Sequence, residues 1–149
     1  MKNTFLASAL VLGLGLVSCS KSDDTSAQKA EAARTALQSG TWKIETYSDD
    51  GKDETSHYVN LNFTFQSSGA VSVSGDSNTY QGTWRIENEG YDDSRKESEV
   101  ELYLLFGSPA KLVELSDDWD IDSQTDTRIV LRDESGGDGS VDLLIFQKN

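Results

Sequence analysis

Cysteine, histidine and basic residues are all scarce in this chain of 149 residues. It has one cysteine, Cys19, one histidine, His57, and 13 lysines and arginines against 26 acidic residues, so its formal net charge is −13. A single histidine excludes a histidine metal cluster, and any Ser-His-Asp triad would have to be built around His57. The negative charge repels phosphate backbones and therefore argues against nucleic acid as a partner.

The chain also lacks an apolar run of the roughly 20 residues that a membrane-spanning helix requires. Its most apolar segment, Phe5 to Val17, has 13 residues, follows Lys2 and leads into the sequence Leu16-Val17-Ser18-Cys19. A positive residue, a short apolar segment and small residues in that order are typical of a secretory signal. This segment therefore predicts export from the cytoplasm.

Leu16-Val17-Ser18-Cys19 resembles a bacterial lipobox, where the cysteine receives lipid and the signal is cleaved in front of it. The resemblance implies a signal peptide at residues 1–18 and a lipoprotein anchored by palmitate-type chains on Cys19. No aspartate follows Cys19, which favours the outer membrane of a Gram-negative cell, on its periplasmic face or at the cell surface. The alternative is an ordinary secretory signal with an unmodified cysteine. A lipidated Cys19 leaves the folded domain without a disulfide or a thiolate site.

Residues 19–36 are predicted to hold a polar tether and the start of a short helix that covers about residues 26–38. Thr25 and Gln28 have the spacing of a capping box, and Gly40 is a stop signal. From Gly40 onward apolar residues recur at every second position, which indicates strands with one buried face. The inward positions of eight strands are Trp42/Ile44, Val59/Leu61/Phe63/Phe65, Val71/Val73, Gly82/Trp84/Ile86, Val100/Leu102/Leu104/Phe106, Trp119/Ile121, Ile129/Leu131 and Val141/Leu143/Ile145.

Eight short strands joined in sequence order predict an all-β fold, an antiparallel up-and-down barrel over residues 37–149. A helical turn is expected at Pro109–Ser116, between the fifth and sixth strands. The fifth and eighth strands are also apolar on their outer faces, through Tyr103 with Leu105 and Leu144 with Phe146. We expect the two helical segments to cover these outer patches.

Gly40-Thr41-Trp42, which opens the first strand after a short helix, resembles the first signature of the lipocalins. Together with Gly82-Thr83-Trp84 and Glu114–Trp119, it makes residues 37–148 similar to the lipocalin-like domain of small Gram-negative lipoproteins. The resemblance implies that Gly40 and Trp42 close the bottom of the barrel, with Arg128 or Arg132 packed across Trp42. It also implies a small apolar ligand inside the barrel.

Two functions remain open for such a barrel, because eight strands enclose a space that side chains can fill or that can hold one small ligand. In a ligand-binding lipoprotein, Trp84, Trp119, Phe63 and Leu104 would line the site. In an envelope or cell-surface interaction module, the same residues would form a filled core. The sequence contains no recognisable catalytic constellation, which favours a non-enzymatic protein without a cofactor.

The acidic turns are expected to be solvated, with a weak calcium site as the alternative. Neither the aspartates around Trp119 nor Gly136-Gly137-Asp138-Gly139 match a calcium-binding motif. His57 is assigned a structural role at the start of the second strand.

Overall fold

The computed structural model describes residues 21–75, 77–89, 99–134 and 139–149, with side chains from residue 25 onward except that of residue 89. The predicted signal peptide and Cys19 lie outside this part of the chain, as do residues 136–138 of the glycine-rich acidic turn.

Most of the regular structure is β-strand. The strands are β1 (Trp42–Asp49), β2 (Lys52–Asp53), β3 (Asn62–Phe65), β4 (Ala70–Gly75), β5 (Asn78–Glu89), β6 (Glu99–Phe106), β7 (Asp118–Gln124), β8 (Arg128–Asp133) and β9 (Asp142–Lys148). From β3 to β9 each strand pairs antiparallel with the next, and β1 pairs with both β3 and β9, which closes the barrel. The two-residue β2 pairs only with the end of β1. The predicted eight-stranded antiparallel barrel is confirmed.

Alternation of apolar and polar side chains explains most of the strands. In β4, Val71 and Val73 are buried while Ser72 between them is only half-buried. Val100, Leu102, Leu104 and Phe106 make the corresponding inward row of β6. Because successive side chains of a strand point to opposite faces, one row from each strand fills the barrel.

The phase predicted for β9 is wrong. Leu144 and Phe146 are fully buried in the core and pair with Leu131 and Ile129 of β8, whereas Leu143 is only half-buried. The run Leu143–Phe146 is apolar at every position, so its own sequence has no period from which to choose a face. The neighbouring strands choose it instead, because a slip of one residue would turn Leu144 and Phe146 outward.

Two further details differ from the sequence-based expectation. The second barrel strand begins at Asn62 rather than at Val59, because residues Thr55–His57 form a 3₁₀ turn, designated η1, that leaves Val59 exposed. Strand β1 contains a bulge between Ile44 and Thr46. The extra residue shifts the phase, so that Trp42, Ile44 and then Tyr47 are the buried positions.

Helix α1 (Lys21–Gln38) lies across the end of the barrel where β1 begins, here called the α1 end. The helix is the predicted one, but it starts five residues before residue 26. Its buried face is Ala30, Ala33, Ala36 and Leu37, which belong to the same core as the strands. Arg34 Nη2 donates to the Ile86 carbonyl, and Gln124 Nε2 donates to the Lys29 carbonyl, which ties the helix to β5 and β7. Within the described ranges no helix is long and apolar enough to cross a membrane.

Helix α2 (Ala110–Val113) covers the opposite end, here called the α2 end, and confirms the predicted helical turn. Leu112 and Leu115 are fully buried in the core. Tyr58 Oη donates to the Lys111 carbonyl at 2.6 Å, and Tyr47 Oη donates to the Glu114 carbonyl at 3.0 Å. Both helices therefore close ends of the barrel. The expectation that they cover its outer patches is wrong, because Leu105 on β6 remains 64% exposed.

Candidate functional site

The barrel interior is occupied by large side chains. The ring of Phe146 packs edge-on against Phe63 and Phe65, with centroid distances of 5.3 and 5.6 Å, and Phe65 packs in the same way against Trp84 at 5.4 Å. Edge-to-face contacts of this kind are a favourable geometry for aromatic rings and fill space efficiently. Of the four residues predicted to line a ligand site, Phe63 and Trp119 are fully enclosed, and Trp84 and Leu104 are at most 6% exposed.

The polar atoms of the two interior indoles are satisfied by the protein itself. Trp84 Nε1 donates to the Gln66 carbonyl at 3.0 Å, and Trp119 Nε1 donates to the Leu115 carbonyl at 3.1 Å. A ligand in the barrel would therefore find these donors engaged. It would also have to displace side chains that are already packed.

Trp42 lies at the α1 end and is fully buried. Its Nε1 donates to the Leu37 carbonyl at 3.0 Å, which joins the first strand to the last turn of α1. Gly40 has φ of +97°, and a Cβ there would lie 3.1 Å from Lys148 Cε. Lys148 Nζ stands 5.7 Å from the centre of the Trp42 ring, so a lysine occupies the place expected for an arginine. Arg128 instead binds Glu45, with Nε and Oε2 2.7 Å apart.

The candidate site is a groove of about 410 Å³ on the outer wall, formed by β5, β6 and the residues that lead into β7. The last cross-strand pair of β6 with β7 is Tyr103 with Asp118. Beyond it the regular pairing stops, and the chain that connects the two strands passes through α2. The lining residues are Thr83, Trp84, Arg85, Tyr103, Leu104, Leu105, Ser116, Asp117 and Asp118.

Arg85 forms one side of this groove and is already engaged. Its guanidinium lies 3.8 Å above the centre of the Tyr103 ring, and its Nε contacts Glu87. Tyr103 Oη in turn donates to Glu101 Oε2 at 2.7 Å. This hydrogen bond to a carboxylate, together with burial, raises the pKa of the Tyr103 hydroxyl. The arginine charge is thus balanced within the wall.

Asp117 stands on the opposite side of the groove, and its position is fixed by the backbone. Its carbonyl accepts from the Leu104 amide at 2.9 Å, and the adjacent Ser116 Oγ accepts from the Phe106 amide at 2.9 Å. Partial removal of water raises the pKa of the Asp117 carboxyl to about 6, and a hydrogen bond with the Asp118 side chain and the negative charges of Asp133 and Asp118 act in the same direction. The Asp118 amide donates to Asp117 Oδ1 at 2.9 Å, which opposes that change.

Two groups of carboxylates come together elsewhere, and the sequence did not single out either. Asp49, Asp50 and Asp142 meet at an exposed corner, where the Asp50 amide donates to Asp142 Oδ1. Glu99, Glu101 and Asp120 meet on the outer face of β6 and β7, with Glu101 almost entirely buried. Only the cross-strand register brings the second group together.

His57 lies in η1 rather than at a strand start. Its Nδ1 is 3.1 Å from Glu54 Oε2, and its side chain is about half exposed. It contributes to neither the barrel interior nor the groove.

No family model and no curated protein matches this chain. Among solved structures, it is similar to a DUF4847 family protein from Bacteroides vulgatus, with 14% sequence identity and a TM-score of 0.48. The similarity covers 78% of this chain and 97% of the other.

Proposed function

We propose that this protein is a lipid-anchored, non-enzymatic interaction module of the cell envelope, which contacts a partner protein through the outer wall of a filled barrel. The lipobox-like sequence at Cys19 supports the anchor and a location at the outer membrane, on its periplasmic face or at the cell surface. The proposal includes no catalysis. Among the described carboxylates, only that of Glu54 lies within ion-pair distance of His57, the chain's single histidine.

The filled interior of the barrel is the observation that favours an interaction module over a ligand carrier. A carrier of a small apolar molecule needs space among the inward side chains, and here Phe63, Phe65, Phe146 and Trp119 occupy it. The two ends are covered by α1 and α2, whose buried residues complete the same core. What the barrel offers to other molecules is its outer wall, where the groove and the exposed Leu105 adjoin.

The filled interior can be tested with benzene, a small apolar probe. Residues 20–149 contain every described element and suit a titration followed by the NMR signals of the indole groups. Benzene should produce no saturable shift in the natural sequence. Phe146→Ala supplies the positive control, because removal of a buried ring leaves an apolar cavity of the kind that takes up benzene. Saturable binding to the natural sequence, with a shift of the Trp119 indole, would instead support the ligand carrier.

Contact through the outer wall can be tested in cells that express the full chain. A photo-crosslinking amino acid at Leu105 should give a discrete protein adduct. The same amino acid at Val59, which is equally exposed at 65%, is the matched control and should give none. Absence of an adduct from Leu105 would contradict the proposal.

A further inference from the structure

We infer that the groove on the outer wall of β5, β6 and the start of β7 binds a lysine side chain of the partner protein, with the ammonium group at Asp117 and the methylene chain along Tyr103 and Leu105. This inference rests on the proposed function, because it assumes a protein partner at the outer wall. It adds the chemistry by which that partner is recognised.

The charges of the groove favour a cation at one side only. Arg85 is balanced by Glu87 and by the Tyr103 ring, so it leaves little positive charge to attract an anion. The charged groups that act on Asp117 are Asp133 on β8 and its neighbour Asp118 at the start of β7, and both are carboxylates. A cation placed at Asp117 would therefore meet attraction from all three carboxylates.

The side chain of Asp117 is exposed, but its place beside the wall of the groove removes part of the water around its carboxylate. Removing water from around a charge costs free energy unless an opposite charge replaces it. The raised pKa of the Asp117 carboxyl reflects this cost in the absence of a partner. An ammonium group at the carboxylate would offset that cost.

The apolar part of the groove selects a cation with a hydrocarbon chain over a simple ion. Leu105 is an outward leucine with 64% of its surface in water, and Tyr103 lies beside Asp118 across the strands. Lysine buries its methylenes along apolar surfaces while its ammonium group reaches a charge. Because Asp117 Oδ1 already accepts from the Asp118 amide, an arginine of the partner would gain less there from its paired donors, which favours the single ammonium group of lysine.

The test uses two peptides that differ only in the charge of one side chain, acetyl-Leu-Lys-Leu-amide and the same peptide with Nε-acetyllysine. Each is titrated into residues 20–149 while the backbone amide signals of Tyr103, Leu105 and Asp118 are followed by NMR. We expect saturable shifts with the lysine peptide and affinity at least about tenfold lower with the acetylated one, the scale of one charge-assisted hydrogen bond.

Variants of the protein distinguish binding at the groove from attraction by the overall negative charge. Asp117→Asn keeps the oxygen that accepts from Asp118 and removes the charge, and it should weaken the lysine peptide about tenfold. Asp126→Asn removes one charge from an exposed turn at the α1 end and should leave affinity unchanged within about twofold. Leu105→Ser should weaken binding several-fold without changing the preference for the unacetylated peptide.

Three results would overturn the inference. Equal affinity for the two peptides would remove the role of the ammonium group, and equal losses in Asp117→Asn and Asp126→Asn would assign binding to the general field. Hexylammonium binding as tightly as the lysine peptide would indicate a site for free amines. If the Leu105 crosslink forms but the lysine peptide does not bind, the inferred recognition of lysine is wrong, and the proposed interaction module is still supported.

Discussion

Trp42 connects the first strand, the last turn of α1 and the floor of the barrel in one side chain. It is fully enclosed, and its only polar atom bonds to the Leu37 carbonyl. The Gly-X-Trp triplet allowed this residue to be singled out from the sequence. The same reasoning expected Arg128 or Arg132 above its ring, because the sequence could not tell that Glu45 would engage Arg128 and leave Lys148 over Trp42.

Replacing Trp42 by alanine should lower the free energy of unfolding by about 3–5 kcal/mol, as expected when a buried aromatic side chain is removed. Trp42→Phe is the control, since it keeps a ring but loses the bond to Leu37, and it should cost less. Urea denaturation of residues 20–149 measures both. A loss below about 1 kcal/mol for the alanine variant would show that the side chain does not close this end.

Asp117 should make stability depend on pH in an unusual direction. The folded state holds the pKa of this carboxyl at about 6, above the usual aspartate range, so the folded protein binds more protons than the unfolded chain between pH 4 and 6. The contribution of this residue to stability is therefore full below pH 4 and is lost as the pH rises through about 6. Asp133 on β8, Asp118 on β7 and the Tyr47 hydroxyl on β1 are the titratable groups that interact with it.

Asp117→Asn should consequently raise the free energy of unfolding at pH 7.5, and it should raise it less at pH 4. Because Asp117 is partly exposed, solvent screening limits the gain to roughly 1 kcal/mol or less. Thermal or urea unfolding at both values checks this, with Asp126→Asn as the control for loss of a negative charge. A gain that is the same at both pH values would contradict the assignment.

At the scale of elements, strands with regular alternation were predictable and strands with continuous apolar runs were not. The buried row of β4 could be identified from the sequence because serines alternate with its valines. That of β6 could be identified because its apolar repeat continues over four inward positions. In β9 the run Leu143–Phe146 offered two equivalent phases. The bulge in β1 was also invisible, since no residue type marks the extra position at Glu45.

The phase of β9 can be tested with two adjacent leucines. Leu144→Ala removes a fully buried side chain and should cost about 2–5 kcal/mol. Leu143→Ala changes a half-buried one on the outer face and should cost less than half as much. Equal costs, or the larger cost at Leu143, would mean that the strand faces the other way.

The groove could not be found from the sequence, because its parts come from β5, β6 and the approach to β7. The sequence did flag Tyr103 and Leu105 as outer apolar residues that needed an explanation. Their relation to Asp117 depends on the register of β6 with β7, whose last pair is Tyr103 with Asp118 before the connection through α2. Long-range register of this kind leaves no local pattern.

For the whole molecule, the closed barrel could be predicted from the number and spacing of the strands, but the position of the barrel relative to the proposed anchor could not. A polar tether was expected up to residue 26, and the structure has a helix from Lys21. In the proposed lipoprotein, only residues 19 and 20 would separate the lipid from this helix. The α1 end would then stand nearest the bilayer.

Lipidation of Cys19 should be visible by incorporation of radiolabelled palmitate in a Gram-negative host that expresses the full chain. The natural sequence should be labelled and recovered with membranes, and Cys19→Ser should be unlabelled. Ser18→Ala keeps a small residue before the cysteine and should still be labelled. Equal labelling of the natural sequence and Cys19→Ser would contradict the anchor.

The pairing of β1 with β9 has a consequence for molecules confined to a membrane surface. Anchored proteins reach high local density in two dimensions, where an open sheet would offer unpaired backbone groups to its neighbours and assemble edge to edge. Six residue pairs between β1 and β9 close that seam. The weaker seam has one pair, Trp42 with Phe63, and the end of β1 on that side is occupied by β2 and by Thr55 Oγ1, which accepts from the Tyr47 amide. Crowded copies of this barrel would therefore offer one another only a short stretch of unpaired strand.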